Sequence, residues 1–194
     1  TAWTDLTANK NNGTLTNMTD NFSTDGAGSL TFDGTDEYIA TPFTGTFSAI
    51  SFEFWGFFDD PTLNMTSRKE SAFGDWQASR VHFGTRWSAG SVGMHFNVNG
   101  VYQTTSPTNL KYGWNHYLLV YDTGANAKKV YLNNKLSSSH GTNGTMTIGD
   151  FRIGVATNLN QYYRGSISNF KIYNVGLTAN EVQQNYLATK GRYA

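Results

Sequence analysis

The feature that most constrains the fold of this chain is the alternation of apolar and polar residues along most of its segments. In "ISFEFWGFF" (residues 50–58), the side chains of Ile50, Phe52 and Phe54 fall on one side, opposite Glu53 and Trp55. A period of two places successive side chains on opposite faces of a β-strand. The segment "GMHFNVNG" (residues 93–100) alternates in the same way. Both segments are therefore predicted to be half-buried strands.

Further strands follow at regular intervals. The segments "WNHYLLVYD" and "KKVYLNNK" are joined by the polar turn "TGANA", and "FRIGVAT" adds another apolar alternation. In "GSISNFKIYN", Ile167 is out of phase with Phe170 and Ile172, which predicts a β-bulge. Strands roughly ten residues apart, separated by Gly, Asn and Asp turns, are typical of all-β sandwiches. The sequence predicts an all-β, antiparallel two-sheet jelly-roll sandwich.

The chain closes with one short helix, predicted from "GLTANEVQQNY" (residues 176–186). Thr178 and Glu181 have the spacing of a capping box, and Leu177 and Val182 that of a hydrophobic staple. Gly191 is placed to stop the helix. Because the helix has only one narrow apolar stripe, we expect it to cover an exposed rim or edge of the sandwich.

Composition narrows the classes of partner. Lys plus Arg and Asp plus Glu number 14 each, so the formal net charge is zero. Without a basic surface, the chain is not expected to bind nucleic acid. The absence of cysteine excludes disulfides and thiolate metal sites.

Length and hydropathy point to one domain over residues 1–194. No apolar run is long enough to span a bilayer, so no membrane insertion is expected. The chain begins with Thr1 rather than Met, as expected of a processed product or a piece of a longer polypeptide.

The ordered series "SLTFDGTDEYI", "SAISFEFWGFF", "WNHYLLVYDTGANAKKVYLNNK" and "YRGSISNFKIYNVGLTANEVQQNY" resembles the concanavalin A-like, laminin G-like (LamG-like) jelly-roll domain. The resemblance runs from "NNGTLTN" to "KGRYA", and the closing motif with its "KGRY" tail is its most specific part. That ending is similar to versions carried by virion proteins of bacteriophages and algal viruses. The resemblance implies an extracellular or virion-surface location.

Catalysis is not expected. Glycoside hydrolases need two facing carboxylates, which sandwich glucanases carry as Glu-x-Asp-x-x-Glu, and no such motif occurs. Glu53 is the sole acid within a strong strand. A Ser-His-Asp triad stays open because its members scatter along a sequence, although no Gly-x-Ser-x-Gly elbow is present.

A bound cofactor or metal is not expected either. The four histidines lack a short metal-ligand spacing. Many laminin G-like domains bind calcium at one rim, and "FDGTDE" offers Asp33 and Asp36 near a turn. Hydrogen bonds from these carboxylates to turn amides are the favoured alternative.

Sugar recognition requires aromatic faces and fixed polar groups, and the chain has 15% aromatic residues. Two surfaces compete. The first is the polar face of "MHFNVNG", where His95, Asn97 and Asn99 should lie together, with Tyr117 and Trp55 as stacking partners on neighbouring strands. Amides and imidazoles on a rigid sheet are already positioned for hydroxyl groups, so this face is favoured for ligand binding.

The second surface is a loop cluster of Trp76, Arg80 and Trp87. A loop would first have to be ordered on binding, which costs entropy. Because a sandwich core also consumes large aromatic residues, any one of the named rings can instead belong to the core.

Three functions follow from these features. The favoured one is a non-catalytic glycan-recognition or adhesion module within a virus or phage structural protein, with a glycan or host-surface polysaccharide as partner. The alternative is a purely structural virion domain that decorates a capsid or tail through neighbouring virion proteins and has no small ligand. An enzyme of the sandwich hydrolase or lyase type is the third, and would need converging carboxylates or an Arg/His/Tyr group.

Overall fold

The computed structural model describes residues 2–19, 21–58, 69–76, 79, 81–88, 91–105, 110–157 and 161–193, with the backbone alone at 27, 58, 69, 85–88, 91–92 and 104–105. Within these ranges it contains strands β1 Ala2–Trp3, β2 Gly13–Thr16, β3 Phe22–Ser23, β4 Ser29–Asp33, β5 Tyr38–Ala40, β6 Gly45–Phe47, β7 Ala49–Phe58, β8 Lys69–Asp75, β9 Val81–Ser88, β10 Ser91–Val98, β11 Val101–Thr105, β12 Gly113–Asp122, β13 Ala127–Leu132, β14 Lys135–His140, β15 Met146–Ile148, β16 Arg152–Ile153 and β17 Arg164–Tyr173. One α-helix, α1, spans Ala179–Thr189, and 3₁₀ turns span Asp25–Ala27 and Lys190–Arg192.

The strands form two large antiparallel sheets. The eight-stranded sheet has the order β1-β2-β5-β16-β8-β9-β10-β11, and the seven-stranded sheet the order β14-β13-β12-β7-β17-β4-β3. Strands β6 and β15 form a separate pair. The predicted all-β, two-sheet sandwich with one short C-terminal helix is confirmed. That residues 1–194 form a single domain stays a prediction.

The core lies between the two large sheets and is built from phenylalanine rings. Phe52 of the seven-stranded sheet stacks on Phe73 of the eight-stranded sheet with ring centroids 4.7 Å apart, and both side chains are fully buried. Each such burial contributes about 1.5–3 kcal/mol. Met94, Phe96 and Val98 of β10 belong to this core, as the alternation in "GMHFNVNG" predicts. His95 and Asn97 therefore point to the outer face, the side of a sheet turned away from the other sheet.

Two of the strand predictions can be compared with the structure residue by residue. The bulge predicted in "GSISNFKIYN" is confirmed, because the register of β17 against β7 shifts between Ser168 and Lys171, and Asn169 has a φ of 52°. The strand predicted from "FRIGVAT" is shorter than expected and covers only Arg152–Ile153. Gly154 turns the chain there with a φ of 89°, and a Cβ on it would collide with the ring of Phe32.

At one side of the sandwich, β11 of the eight-stranded sheet meets β14 of the seven-stranded sheet. The side-chain amide of Gln103 donates a hydrogen bond to Ser138 Oγ over 2.7 Å. Lys128 Nζ, buried between the sheets, donates to the carbonyl of Val101 over 2.8 Å, and burial lowers the pKa of Lys128 to about 8. The two sheets are thus joined by side chains along this side.

The C-terminal helix begins as predicted. Thr178 accepts a bond from the amide of Glu181, whose carboxylate accepts from the amide of Thr178, and this completes the capping box. Leu177 and Val182 are both buried in one apolar cluster with residues of β12 and β13. The helix therefore lies on the outer face of the seven-stranded sheet, and the prediction that it covers a rim or edge is wrong.

The end of the helix also differs from expectation. The α-helix stops at Thr189, and Gly191 lies inside the 3₁₀ turn that follows. Gly191 is not among the residues with positive φ, so it is not the left-handed stop that the sequence predicts. Neither the helix nor the 3₁₀ turns of the described part are long and apolar enough to cross a membrane.

Candidate functional site

Tyr117 does not lie on the predicted binding face. Its side chain is only 4% exposed and lies in the core between the sheets, where its ring stacks on Phe54 with centroids 4.8 Å apart. This burial, with the nearby Glu70 carboxylate, raises the pKa of the Tyr117 phenol. The prediction failed because β12 is apolar on both faces, so the sequence alternation does not set its phase. Leu119 shares the core with Tyr117, whereas Leu118 packs under the helix.

Trp55 is also not available to a ligand. It projects from the outer face of the seven-stranded sheet but lies beneath the C-terminal segment, 3% exposed. Its ring stacks on Tyr193 with centroids 4.2 Å apart, and its Nε1 donates to Thr189 Oγ1 over 3.0 Å. Trp55 therefore holds the C-terminus, and its predicted role as a stacking partner is wrong.

Asn99 lies in the hairpin turn between β10 and β11, not on the strand that carries His95 and Asn97. It has a φ of 55° and is followed by Gly100 at 78°, the positive values that a tight two-residue hairpin turn requires. Its side-chain amide donates to the carbonyls of Asn143 and Thr145 over 2.9 and 3.0 Å. These bonds fasten the turn to a neighbouring loop, so Asn99 is a turn residue and not part of the polar sheet face.

His95 and Asn97 do lie together on the outer face of the eight-stranded sheet, and the fold adds three residues to them. Asn97 is paired in register with His82 of β9 and with Tyr102 of β11. Trp76, directly after β8, has its ring centroid 6.0 Å from that of His82 and 6.2 Å from that of Tyr102. The rings of His95 and Tyr102 lie 6.1 Å apart. We call Trp76, His82, His95, Asn97 and Tyr102 the Asn97 cluster.

The Asn97 cluster has a buried polar floor and two partly exposed rings. Tyr102 is 45% exposed and Trp76 is half-buried, whereas Asn97 is fully buried. Neither Oδ1 nor Nδ2 of Asn97 has a hydrogen-bond partner in the described part of the chain. A buried amide without partners costs about 1–3 kcal/mol, so such a group in a native protein calls for an explanation, of which a bound water, ion or ligand is one.

His82 forms the other half of the floor. Its Nε2 lies 2.9 Å from Ser71 Oγ, and Gly84 leaves the space into which the ring leans, since a Cβ there would lie 2.9 Å from Nε2. Burial, with a smaller contribution from His95, lowers the pKa of His82 to about 3, so the ring is neutral at neutral pH.

Among the described residues, the Ser71–His82 pair has no carboxylate as the third member of a catalytic triad. Ser71 is fully buried, and His82 Nδ1 contacts no carboxylate within the residues described. A serine nucleophile needs both access to substrate and an oriented base.

Glu53, the strand carboxylate, lies on the opposite side of the molecule with a full set of partners. It accepts hydrogen bonds from Tyr173 Oη over 2.6 Å and from Asn185 Nδ2 over 2.8 Å. His116 Nε2, at 3.1 Å, must donate because a carboxylate only accepts, and Lys171 Nζ lies at 3.3 Å. Burial alone would raise the pKa of Glu53, but these hydrogen bonds and the Lys171 charge outweigh it and lower the pKa to about 2.

The outward residues of β7 hold the C-terminal segment one after another. Ser51 Oγ accepts from the amide of Leu177, Glu53 binds Asn185 of the helix, and Trp55 binds Thr189. Glu53 is fully buried beneath this segment. This carboxylate therefore has a structural role in attaching the helix and is not accessible to a substrate.

In the acidic turn "FDGTDE", Asp33 makes a hydrogen bond to a turn amide, as the favoured alternative to calcium binding predicts. Asp33 Oδ1 accepts from the amide of Thr35 over 2.7 Å, and Asp36 Oδ2 accepts from Asn17 Nδ2 over 3.1 Å. Among the described residues, no group of three or more His, Asp or Glu side chains is placed to hold a metal ion. Whether calcium binds near this turn stays a prediction, and it is not the favoured one.

The two competing surfaces of the sequence prediction are partly one surface. Trp76, assigned to the loop cluster, contacts the sheet-face residues. Arg80 and the Trp87 side chain lie outside the described residues. Tyr102 was missed, although a signal was present: "VNGV" is an Asn-Gly hairpin turn, which places Tyr102 opposite Asn97 on the returning strand.

The comparisons with known proteins agree with this architecture. A family model described as the concanavalin A-like lectin/glucanases superfamily matches residues 33–183. Domain 4 of AbnA, a GH43 extracellular arabinanase from Geobacillus stearothermophilus solved in complex with arabinotriose, is similar with a TM-score of 0.70 and 18% identity, over 94% of this chain and 91% of that one. No curated protein sequence matches the chain significantly.

Two further solved structures share the fold. A native heptameric SAP-like pentraxin from Limulus polyphemus has a TM-score of 0.63 and 15% identity over 78% of each chain. The botulinum neurotoxin serotype D ligand-binding domain in complex with N-acetylneuraminic acid has a TM-score of 0.68 and 13% identity, over 96% of this chain and half the length of that one. At such identities the likeness shows the fold, and it confirms the predicted concanavalin A-like jelly roll.

Proposed function

Since the chain belongs to the concanavalin A-like lectin/glucanase superfamily, we propose that it is a non-catalytic, extracellular glycan-binding module. The proposed site is the Asn97 cluster on the outer face of the eight-stranded sheet. The observation that carries the proposal is the buried Asn97 amide, whose Oδ1 and Nδ2 have no partner in the described part of the chain. One acceptor and two donors at a fixed position suit the hydroxyl groups of a sugar ring.

The aromatic rings beside Asn97 supply the apolar half of such a site. Tyr102 and Trp76 carry the ring faces on which the C–H groups of a sugar can stack. The centroids of these rings lie 6.2 Å apart, and because Asn97 is fully buried, side chains around it must move for a ligand to reach the amide. Tyr102 is 45% exposed on an edge strand, so its side chain has room to turn.

The solved relatives support this class of ligand. Two of these structures were solved in complex with a sugar, arabinotriose in one and N-acetylneuraminic acid in the other. These two compounds are the first probes we would use, one neutral and one acidic. Display on a virion, and the alternative of a purely structural virion domain, stay predictions that rest on the C-terminal motif.

The decisive experiment is a glycan array that includes both probes, run on the purified chain with and without a chelator. We expect binding to at least one glycan that is lost in Asn97→Ala and kept in Asn180→Ala, an exposed control on the helix. Glycan binding that disappears when the chelator is added would instead favour a calcium site near Asp33 and Asp36. Binding lost in Trp87→Ala but intact in Asn97→Ala would move the site to the loop cluster, and no binding at all would contradict the proposal.

A further inference from the structure

The Asn97 cluster follows one transverse row of the eight-stranded sheet. Tyr102 of β11, Asn97 of β10 and His82 of β9 are in register, and the same row continues to Gly74 of β8. Gly74, His82 and Asn97 face outward, because their chain neighbours Phe73, Val81, Phe83, Phe96 and Val98 lie in the core. Tyr102 faces outward with them, because it is paired directly opposite Asn97. From Tyr102 to His82 the row covers two strand spacings, about 10 Å.

The row is closed at Gly74. The segment that follows β16 crosses here, and Ala156 forms a β-bridge with Gly74. A Cβ on Gly74 would lie 2.8 Å from the Cβ of Ala156, so Ala156 occupies the space of the missing side chain. Thr157 Oγ1 anchors the segment by donating to the carbonyl of Asp150 over 2.8 Å. Ala156 is therefore a fixed wall at the inner end of the row.

On the other side of Ala156, the next residue of the row is Arg152, which is part of a separate group of side chains. Arg152 pairs with Gly74 from the far side and is held by Asp150 through two hydrogen bonds of 3.2 and 2.9 Å. Its guanidinium lies over the ring of Tyr38, 4.8 Å from the centroid. Arg152 already has its partners and is separated from His82 by Ala156.

The other end of the row reaches the side of the sandwich. β11 is the edge strand of the eight-stranded sheet, and Tyr102 is the most exposed member of the cluster. In the described part of the sheet no strand lies beyond Tyr102, so a chain lying on the row can extend outward there, but it cannot continue inward past Ala156.

We propose that the Asn97 cluster binds the end of a glycan chain, not its middle, an inference that rests on the proposed function. A terminal sugar lies over His82 and Asn97 against the Ala156 wall, and the rest of the chain leaves over Tyr102. A row of about 10 Å accommodates roughly two sugar rings. Affinity therefore stops rising with chain length once these rings are filled, because additional sugars lie beyond the edge strand.

The test uses linear arabinan, xylan, mannan, β-glucan and polysialic acid, each immobilised at equal mass before and after partial cleavage by an endo-acting hydrolase. Cleavage multiplies chain ends without changing the mass of polymer. For the polymer that is bound, we expect saturation binding to rise in proportion to the number of ends. Saturation binding that is unchanged by cleavage would overturn the end-binding inference while leaving the proposed function standing.

Two variants on opposite sides of the wall give an independent readout. Tyr102→Ala should weaken binding of the same cleaved polymer about tenfold, whereas Arg152→Ala should leave it within about twofold. Melting curves of both variants show whether each still folds. Arg152→Ala weakening binding as much as Tyr102→Ala would mean that the chain crosses the row, which contradicts end binding. If none of these polymers and no glycan on the array is bound, the proposed function itself fails.

Discussion

The central polar groups on the two outer faces of this sandwich differ in their hydrogen bonding. On the seven-stranded sheet, the buried Glu53 carboxylate has four donors around it, and the C-terminal helix covers it completely. On the eight-stranded sheet, the buried Asn97 amide has no partner within the described residues. Both faces carry aromatic rings, imidazoles and amides, so residue types alone do not distinguish them. The hydrogen bonds of the two central polar groups, Glu53 and Asn97, do.

This difference separates a structural face from a candidate binding face. The oxygens of the Glu53 carboxylate are all paired, which fixes their arrangement and leaves no acceptor there for a ligand, although Nδ1 of its donor His116 is buried without a partner among the described residues. An unpaired buried amide lowers stability, and a ligand that pairs with it recovers that loss. We therefore expect that substitutions on the outer face of the seven-stranded sheet, around Glu53, change the stability of the fold. Substitutions at Asn97 should change glycan binding.

The largest effect is expected where the helix is stapled to the seven-stranded sheet. Leu177→Asp removes a side chain that is only 8% exposed and places a charge against Leu118 and Val120. We expect a loss of about 2–5 kcal/mol in the free energy of unfolding, measured by urea denaturation. Asn180→Ala, on the exposed side of the same helix, should change it by less than about 0.5 kcal/mol. Equal melting temperatures for Leu177→Asp and the unchanged chain would show that the helix does not support the fold.

The next effect concerns Glu53 and depends on pH. The pKa of Glu53 is lowered from 4.5 to about 2, so its ionised form stabilises the fold fully above about pH 4.5 and progressively less as pH falls towards 2. We expect Glu53→Gln to cost about 3 kcal/mol at pH 7 and much less near pH 2. Urea denaturation at several pH values measures this difference. A cost independent of pH would mean that Glu53 is not held as a carboxylate.

A smaller but informative expectation concerns catalysis. Because Glu53 is buried under the helix and Ser71 is fully buried, we expect no turnover of polysaccharides, measured as release of reducing ends. Robust turnover that disappears in Glu53→Gln would overturn the structural assignment of that face. Turnover that disappears in Ser71→Ala would instead show that the Ser71–His82 pair, on the side of the Asn97 cluster, is catalytic.

The sequence predicts the framework of this molecule well where a strand has one apolar face. Alternation correctly places Met94, Phe96 and Val98 inside and His95 and Asn97 outside, and local spacing correctly gives the Thr178 capping box. It fails where both faces of a strand are buried. Trp55 and Tyr117 sit on such strands, and only the packing of the helix and of the two sheets determines what covers each ring.

The site was predicted only in part because its members come from four successive segments. Asn97 and His95 share a strand, and alternation alone identifies them. Tyr102 follows from the Asn-Gly turn once strand pairing is considered, whereas the contact between Trp76 and Tyr102 depends on how the ring after β8 leans across the sheet. Long-range placement of this kind has no local sequence signal.

The most direct test of the proposed site is Asn97→Leu, in which an apolar side chain of similar shape replaces an amide that has no partner among the described residues. The melting temperature and the binding of the glycan found on the array are measured on the same preparation. We expect an unchanged or higher melting temperature together with loss of binding, because replacing an unsatisfied buried polar group is neutral or stabilising. A melting temperature lowered as far as in Glu53→Gln, with binding retained, would contradict the proposed site.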